Sequence, residues 1–335
     1  MEELYPFKFK AIYKEKIWGG QKLNSVLNKS VPSDKKIGES WEISSVQDNL
    51  SVVANGYLAG NNLQELIEVY MGDLVGENVF KRFGEEFPLL IKFIDASDVL
   101  SIQVHPDDEL ARKRHNAYGK TEMWYVIQAD EGAELISGFN REMDKETYLK
   151  HLKNNTLPEI LNSEKVSAGD VFFLPSGRVH AIGKGILLAE IQQTSDVTYR
   201  IFDWNRKGQD GKPRELHNDL AVDAIDYKYY KEYRTNYTLK PNETSNLVKC
   251  KYFTTNILEF DRILEKDFID LDSFVVYMCM DGMAEITYNE EEKLEISKGE
   301  TLLVPATVDH IKIAPKNKAK LLEVYIESKN EKEEQ

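Results

Sequence analysis

Two stretches of the chain, GDVFFLPSGRVHAI at 169–182 and GETLLVPATVDHIKI at 299–313, follow one plan. Each sets an acid after a Gly, then a short apolar run, a Pro six residues beyond the Gly and a His eleven beyond it. Each is preceded by a strand-like segment, a Gly-containing turn and a second strand-like segment: MWYVIQADEGAELI in one case, FVVYMCMDGMAEITY in the other. Each is followed by an apolar segment carrying a Glu, ILLAEIQ and KLLEVYI. A repeated unit of short strands punctuated by turns implies two copies of one antiparallel β body. The chain therefore reads as mainly β, two related barrels with a few short helices, divided near the polar stretch YTLKPNETSN at 237–246. The expected parts are residues 1–240, residues 241–327 and a tail, 328–335, too polar to bury anything and expected to be disordered.

Helical periodicity is confined to two places. In NNLQELIEVYMGDL, Leu63, Leu66, Ile67, Tyr70, Met71 and Leu74 recur at intervals of three and four, with Asn62 placed to cap the helix and Glu65 to complete a capping box. A weaker pattern at 144–155, DKETYLKHLKNN, predicts a second short helix. Residues 5–60 read as short strands and turns, and everything else from 88 to 205 as strands. The formal net charge of −14 argues against a nucleic-acid surface, so positive charge for an anionic ligand must be gathered locally. No apolar run reaches membrane-spanning length, and the start, Met-Glu-Glu-Leu, lacks the basic beginning of a signal peptide. The two cysteines, Cys250 and Cys279, make no disulfide framework and read as small core residues, so a cytoplasmic location is expected.

The stretch LSIQVHPDDE at 100–109 alternates strictly. Leu100, Ile102 and Val104 fall on one strand face and Ser101, Gln103 and His105 on the other. Glu122 begins the next strand, and His180 follows the Gly-Asp-x4-Pro turn of the first repeat. In a small barrel these inward groups converge, and two imidazoles, a carboxylate and an amide oxygen suit a borderline divalent cation, zinc above others. Singly, each has an ordinary reading: His105 as a strand-end polar residue, Glu122 as a solvated charge. His310, the counterpart of His180, has neither a His-containing strand nor an aligned Glu upstream and reads as structural.

Longer runs carry a resemblance. The segments IWGG, PLLIKFIDASDVLSIQVHPDDE, YGKTEMWYVI and GDVFFLPSGRVHAIGKGILLAEIQQTSDVTYRIFDWNR resemble the type I mannose-6-phosphate isomerases (phosphomannose isomerases) in their short bacterial form, a family with a double cupin, or jelly-roll, fold. The resemblance implies one Zn2+ per chain on Gln103, His105, Glu122 and His180, and interconversion of mannose 6-phosphate and fructose 6-phosphate through a cis-enediol. Arg200 matches the family's active-site arginine; always protonated, it is assigned to stabilising the enediolate. Its alternative is an ion pair with Asp196 or Asp203. Glu190 matches a family acid considered as proton carrier and is preferred for that role, although Glu323 occupies the same frame in the second repeat. Lys120 is the competing carrier. Ser101, Lys92 and Arg206 are candidates for the phosphate, and Trp18 and Trp41 for the sugar site or the core.

The chain departs from longer members of the family in lacking a large helical insertion between Glu122 and His180, and in placing Ile182 where they carry a tyrosine. A small sugar phosphate is the expected partner, bound by a monomer or homodimer, without nucleic acid or membrane. Two rival functions remain open: a cupin dioxygenase using iron, which shares the metal set but leaves Lys120 and Arg200 unexplained, and a non-catalytic sugar-binding cupin.

Overall fold

Residues 3–208, 211–289 and 291–327 are described in this computed structural model; the 328–335 tail lies outside them. Three antiparallel sheets make up the molecule, and their hydrogen-bonded orders have ends rather than closing into rings. A six-stranded sheet runs Ile12–Gly20, Ile37–Ile43, Leu89–Ala96, Ile186–Gln193, Glu122–Ala129, Val171–Leu174. A five-stranded sheet runs Tyr199–Phe202, Ile102–Val104, His180–Ala181, Glu134–Phe139, Leu161–Lys165. An eight-stranded sheet holds the second repeat, including the long strands Val275–Tyr288 and His310–Tyr325.

The long strands can serve two parts of that sheet because they bend. Register shifts fall at Cys279/Asp281 and Gly282/Ala284, as extra residues are absorbed into the ladder. Gly282 has φ of +74°, and a Cβ there would lie 2.1 Å from the Lys318 carbonyl oxygen, so both conformation and space call for glycine. The strand Phe7–Lys8 also joins this sheet, pairing Phe7 with Leu303 across the expected division at 240.

Alternation along the strands sorts the core into three clusters. Met123, Tyr125, Ile91, Phe93, Ala189 and Ile191 point out of the six-stranded sheet into the largest cluster, which continues into Phe274, Tyr277 and Leu322 of the second domain. Their neighbours Trp124, Val126, Ile94 and Leu188 point the other way, between the two sheets of the first domain. Ile102 and Val104 face a third cluster, covered by the helices Lys145–Lys153 and Asn218–Ala224. Gln103 and His105 therefore turn back toward the six-stranded sheet.

The helix predicted from the 62–74 stripe is present as Leu63–Val75, with Asn62 and Glu65 forming the reciprocal capping box. Met71 departs from the expectation: its φ is +46° and it is exposed, because the helix kinks there and turns that side chain out of the stripe. The second expected helix is present as Lys145–Lys153, capped by Asp144. The reading of the rest of 88–205 as strands is corrected by the helix Asp108–His115, which buries only Ala111 and so has no stripe to betray it; the Asp107 side chain caps it. Among the described residues no helix is long and apolar enough to cross a membrane.

Candidate active site

Cross-strand pairing assembles one polar row in each sheet of the first domain. In the five-stranded sheet, Gln103 lies between Arg200 and His180. In the six-stranded sheet, Glu190 lies between Lys92 and Trp124, and Gln192 beside Glu122. The rows face one another at one end of the sandwich, whose other end is filled by Trp18, Ile94, Leu100, Val126 and Leu188. Trp18 thus packs in the apolar half, whereas Trp41 stands in the polar half with Lys92 Nζ 5.4 Å from its ring centre.

His105, Glu122 and His180 offer ligand atoms within 4.8 Å of one another, and all three are buried. His105 Nε2 lies 3.3 Å from Glu122 Oε1 and His180 Nε2 3.5 Å from Oε2. Neither Glu122 oxygen nor His105 Nε2 has a hydrogen-bond partner. The opposite ring nitrogens are satisfied: His105 Nδ1 donates to the Val197 carbonyl at 3.0 Å and His180 Nδ1 to the Arg178 carbonyl at 2.8 Å. That fixes the tautomer and leaves each Nε2 lone pair facing the cluster. Buried acceptors left bare in this way are costly unless something positive sits among them, so the residues fit a bound cation. Gln103 Nε2 donates to His180 Nε2 at 3.2 Å; a half-turn of the amide presents its oxygen to the same place.

The electrostatics suit ligation. Burial, reinforced by the Lys120 ammonium, pushes the His105 pKa down to about 3, and burial lowers that of His180, so both rings are neutral. Burial alone would raise the Glu122 pKa, but the positive charge of Lys120 beside it opposes that and keeps the group below the ordinary carboxylate range. Lys120 Nζ stands 3.4 Å from Glu122 Oε1 and 3.5 Å from Thr198 Oγ1. Its pKa is lowered by burial against the pull of Glu122.

Glu190 is fully engaged. Its Oε1 pairs with Lys92 Nζ at 2.8 Å and its Oε2 accepts from Trp124 Nε1 at 2.7 Å. The second domain repeats the arrangement: Glu323 accepts from Asn256 and Tyr277, at the corresponding positions on the two flanking strands, and pairs with Lys266 at 2.7 Å. His310 is mostly exposed, away from that interior. Lys92 itself is raised above the ordinary lysine range, since Glu190 and Glu39 outweigh the effect of burial.

Ser101 is buried just before the strand Ile102–Val104. Arg200 makes no ion pair with Asp196 or Asp203; its Nη1 donates to the Glu215 carbonyl at 2.9 Å, and its buried Nε has no partner. Asp203 instead holds Arg206 and Arg214, at 2.9 and 2.7 Å. Arg206 also donates to the Val99 carbonyl, and its buried Nη2 is unpartnered. Arg214 was not legible in the sequence as part of this group, because it comes from a loop with no periodicity and only the fold brings it to Asp203. Arg200, Arg206 and Arg214 together gather positive charge locally in a chain of net charge −14.

Comparison with known proteins gives the following. Residues 6–135 match the family model for the phosphomannose isomerase type I catalytic domain, and residues 243–326 that for the mannose-6-phosphate isomerase cupin domain. The chain is 41% identical over 253 residues to the mannose-6-phosphate isomerase ManA of Bacillus subtilis, covering 74% of this chain and 78% of that protein. It is 36% identical over 295 residues to the mannose-6-phosphate isomerase of Streptococcus mutans, covering 88% and 90%. A crystal structure of the mannose 6-phosphate isomerase from Bacillus subtilis superposes with a TM-score of 0.86 at 32% identity, over 96% of this chain and all of that one.

Proposed function

The chain belongs to the type I phosphomannose isomerase family and is an aldose–ketose isomerase of that kind; from this premise we propose that it interconverts mannose 6-phosphate and fructose 6-phosphate through a cis-enediol, with one zinc ion held by Gln103, His105, Glu122 and His180. The observation that carries the zinc assignment is the set of bare, buried acceptors on Glu122 and His105 beside His180. Two nitrogen donors, a carboxylate and an amide oxygen make a borderline donor set. When bound, the ion supplies positive charge against which the sugar's O1 and O2 become negative.

In this reading Lys120 is the proton carrier. As the uncharged amine it takes the proton from C2 of the open-chain aldose and, from the ammonium so formed, returns it to C1, giving the ketose, while a second proton passes between O1 and O2. Position favours Lys120 over Glu190. Its ammonium borders the ligand Glu122, whereas both Glu190 oxygens are taken, in a pattern that recurs at Glu323. Arg200, next to Gln103 in the sheet, offers its free Nε–H to the enediolate. Ser101, Lys92 and Arg206 are assigned to the phosphate, Arg206 through its unpartnered Nη2. Trp18, in the apolar half of the sandwich, supports the sugar site from behind. The two free thiols accord with a cytosolic enzyme.

The test is a coupled assay for fructose 6-phosphate formed from mannose 6-phosphate, before and after chelation, with zinc or iron restored. Turnover should vanish with the metal and return with zinc, and His105→Ala should lose both metal and turnover. Undiminished turnover in metal-stripped protein would remove zinc from the reading; oxygen uptake with iron would favour the dioxygenase.

A further inference from the structure

Asp108 lies outside the metal-binding cluster, at the start of the helix that follows the ligand strand. Its two oxygens gather donors from three directions. Oδ1 accepts from the Gly119 N–H at 3.1 Å and from Gln193 Nε2 at 2.9 Å. Oδ2 accepts from the Tyr252 hydroxyl at 2.7 Å and faces Lys251 Nζ at 3.4 Å. Gln193 passes the connection on: its Oε1 accepts the Thr121 N–H at 2.9 Å, and its own N–H donates to the Thr121 carbonyl at 3.2 Å. The backbone is therefore fastened on both sides of Lys120, at Gly119 directly and at Thr121 through Gln193. The Lys120 N–H donates to the Pro106 carbonyl at 3.2 Å.

Close approach is built into the residue types. A Cβ on Gly119 would lie 2.6 Å from the Asp108 nitrogen, so only glycine lets this loop settle on the helix start. Tyr252 and Lys251 come from the second domain, in the turn between the strands Thr244–Lys249 and Thr254–Phe260. Within that domain no cluster like that of His105, Glu122 and His180 occurs among the described residues.

We propose that Asp108 is a positioning residue for Lys120, anchored through Tyr252 to the second domain, so that the domain without a metal-binding cluster takes part in turnover by fixing where the Lys120 side-chain nitrogen sits. This rests on the reading of Lys120 as proton carrier. A carrier displaced by a fraction of an ångström loses overlap with the C1–C2 edge without changing how the phosphate is held. The effect belongs in kcat rather than in KM or metal content.

The experiment uses the zinc-loaded full chain. Asp108→Ala and Tyr252→Phe are made singly and again in a Lys120→Met background, and kcat, KM and bound metal are measured for each. In the wild-type background Asp108→Ala should lower kcat on the order of 10- to 100-fold, with KM and metal within about twofold. Tyr252→Phe, which keeps the ring and removes one hydroxyl, should shift kcat in the same direction by less, and stands if Asp108→Ala fails to fold. In Lys120→Met neither substitution should cost further turnover, because the group they position is gone. Wild-type kcat in both single variants, or losses that multiply with that of Lys120→Met, would overturn the proposal while leaving the role of Lys120 intact. Undiminished turnover in Lys120→Met alone would instead overturn the role of Lys120, and the positioning with it.

Discussion

A buried donor without an acceptor marks where a side chain waits for something else. Arg200 is the clearest case, with its Nη1 satisfied by the Glu215 carbonyl and its Nε bare. Arg200→Ala should keep the metal and the thermal midpoint while kcat falls on the order of 100- to 1,000-fold, the range for losing one oxyanion donor. Full turnover with metal in place would remove Arg200 from the chemistry. Glu39 makes a separate prediction about pH. Burial would raise its pKa, but Lys92, Lys16 and the Trp41 N–H outweigh that and bring it to about 2 from an ordinary 4.5. A depressed carboxylate stabilises the fold fully above its unfolded pKa and progressively less as pH falls through the folded one. The stability gap between wild type and Glu39→Gln, about 3 kcal/mol at neutral pH, should therefore narrow between pH 4.5 and 2; chemical unfolding at pH 7 and pH 3 measures it. At this scale the sequence is informative where a period carries the message: alternation alone sends Gln103 and His105 to the face opposite Ile102 and Val104. It is silent on Asp108, whose partners Gly119, Gln193 and Tyr252 meet only through the fold.

Helices show the same division between pattern and accident. The Leu63–Val75 helix was legible because Leu63, Leu66, Ile67 and Leu74 are buried on one side and Asn62 and Glu65 cap it reciprocally. Asn62→Ala should cost about 1 kcal/mol of stability, read by denaturant unfolding, since the Glu65 N–H loses its acceptor; no change in the midpoint would show the box to be idle. The Asp108–His115 helix carries four basic residues in its last turn and a single buried Ala111, so its stability comes from Asp107, the end charges and the contacts of Asp108 rather than from a stripe. Met71 shows the limit of periodicity from the other side: it has the right spacing, but the kink puts it in solvent. Among strands, the repeat at 169–182 and 299–313 gives matching strands at Val171–Leu174 and Thr301–Val304, yet the His positions diverge, one buried at the cluster and the other exposed.

Across the whole molecule the expected division at 240 is crossed by the largest apolar cluster, which joins the outer face of the six-stranded sheet to the second domain. We infer that residues 1–240 and 241–327 unfold together. Phe7, fully buried in that cluster, tests it: Phe7→Ala should cost about 3–5 kcal/mol and lower a single calorimetric transition, whereas two separable transitions, only one of them shifted, would show independent domains. The pairing of Phe7 with Leu303 also bears on how the protein is made. A ribosome adding about 5–20 residues per second needs on the order of 15–60 s to travel from one to the other. Through that interval an apolar segment emerges with its sheet partner still untranslated, so the nascent chain holds a sticky end that must be shielded or wait. Synthesis order and assembly order are thus opposed in this polypeptide, and hydrogen bonds at the rim of its second domain are made by residues translated well before that domain.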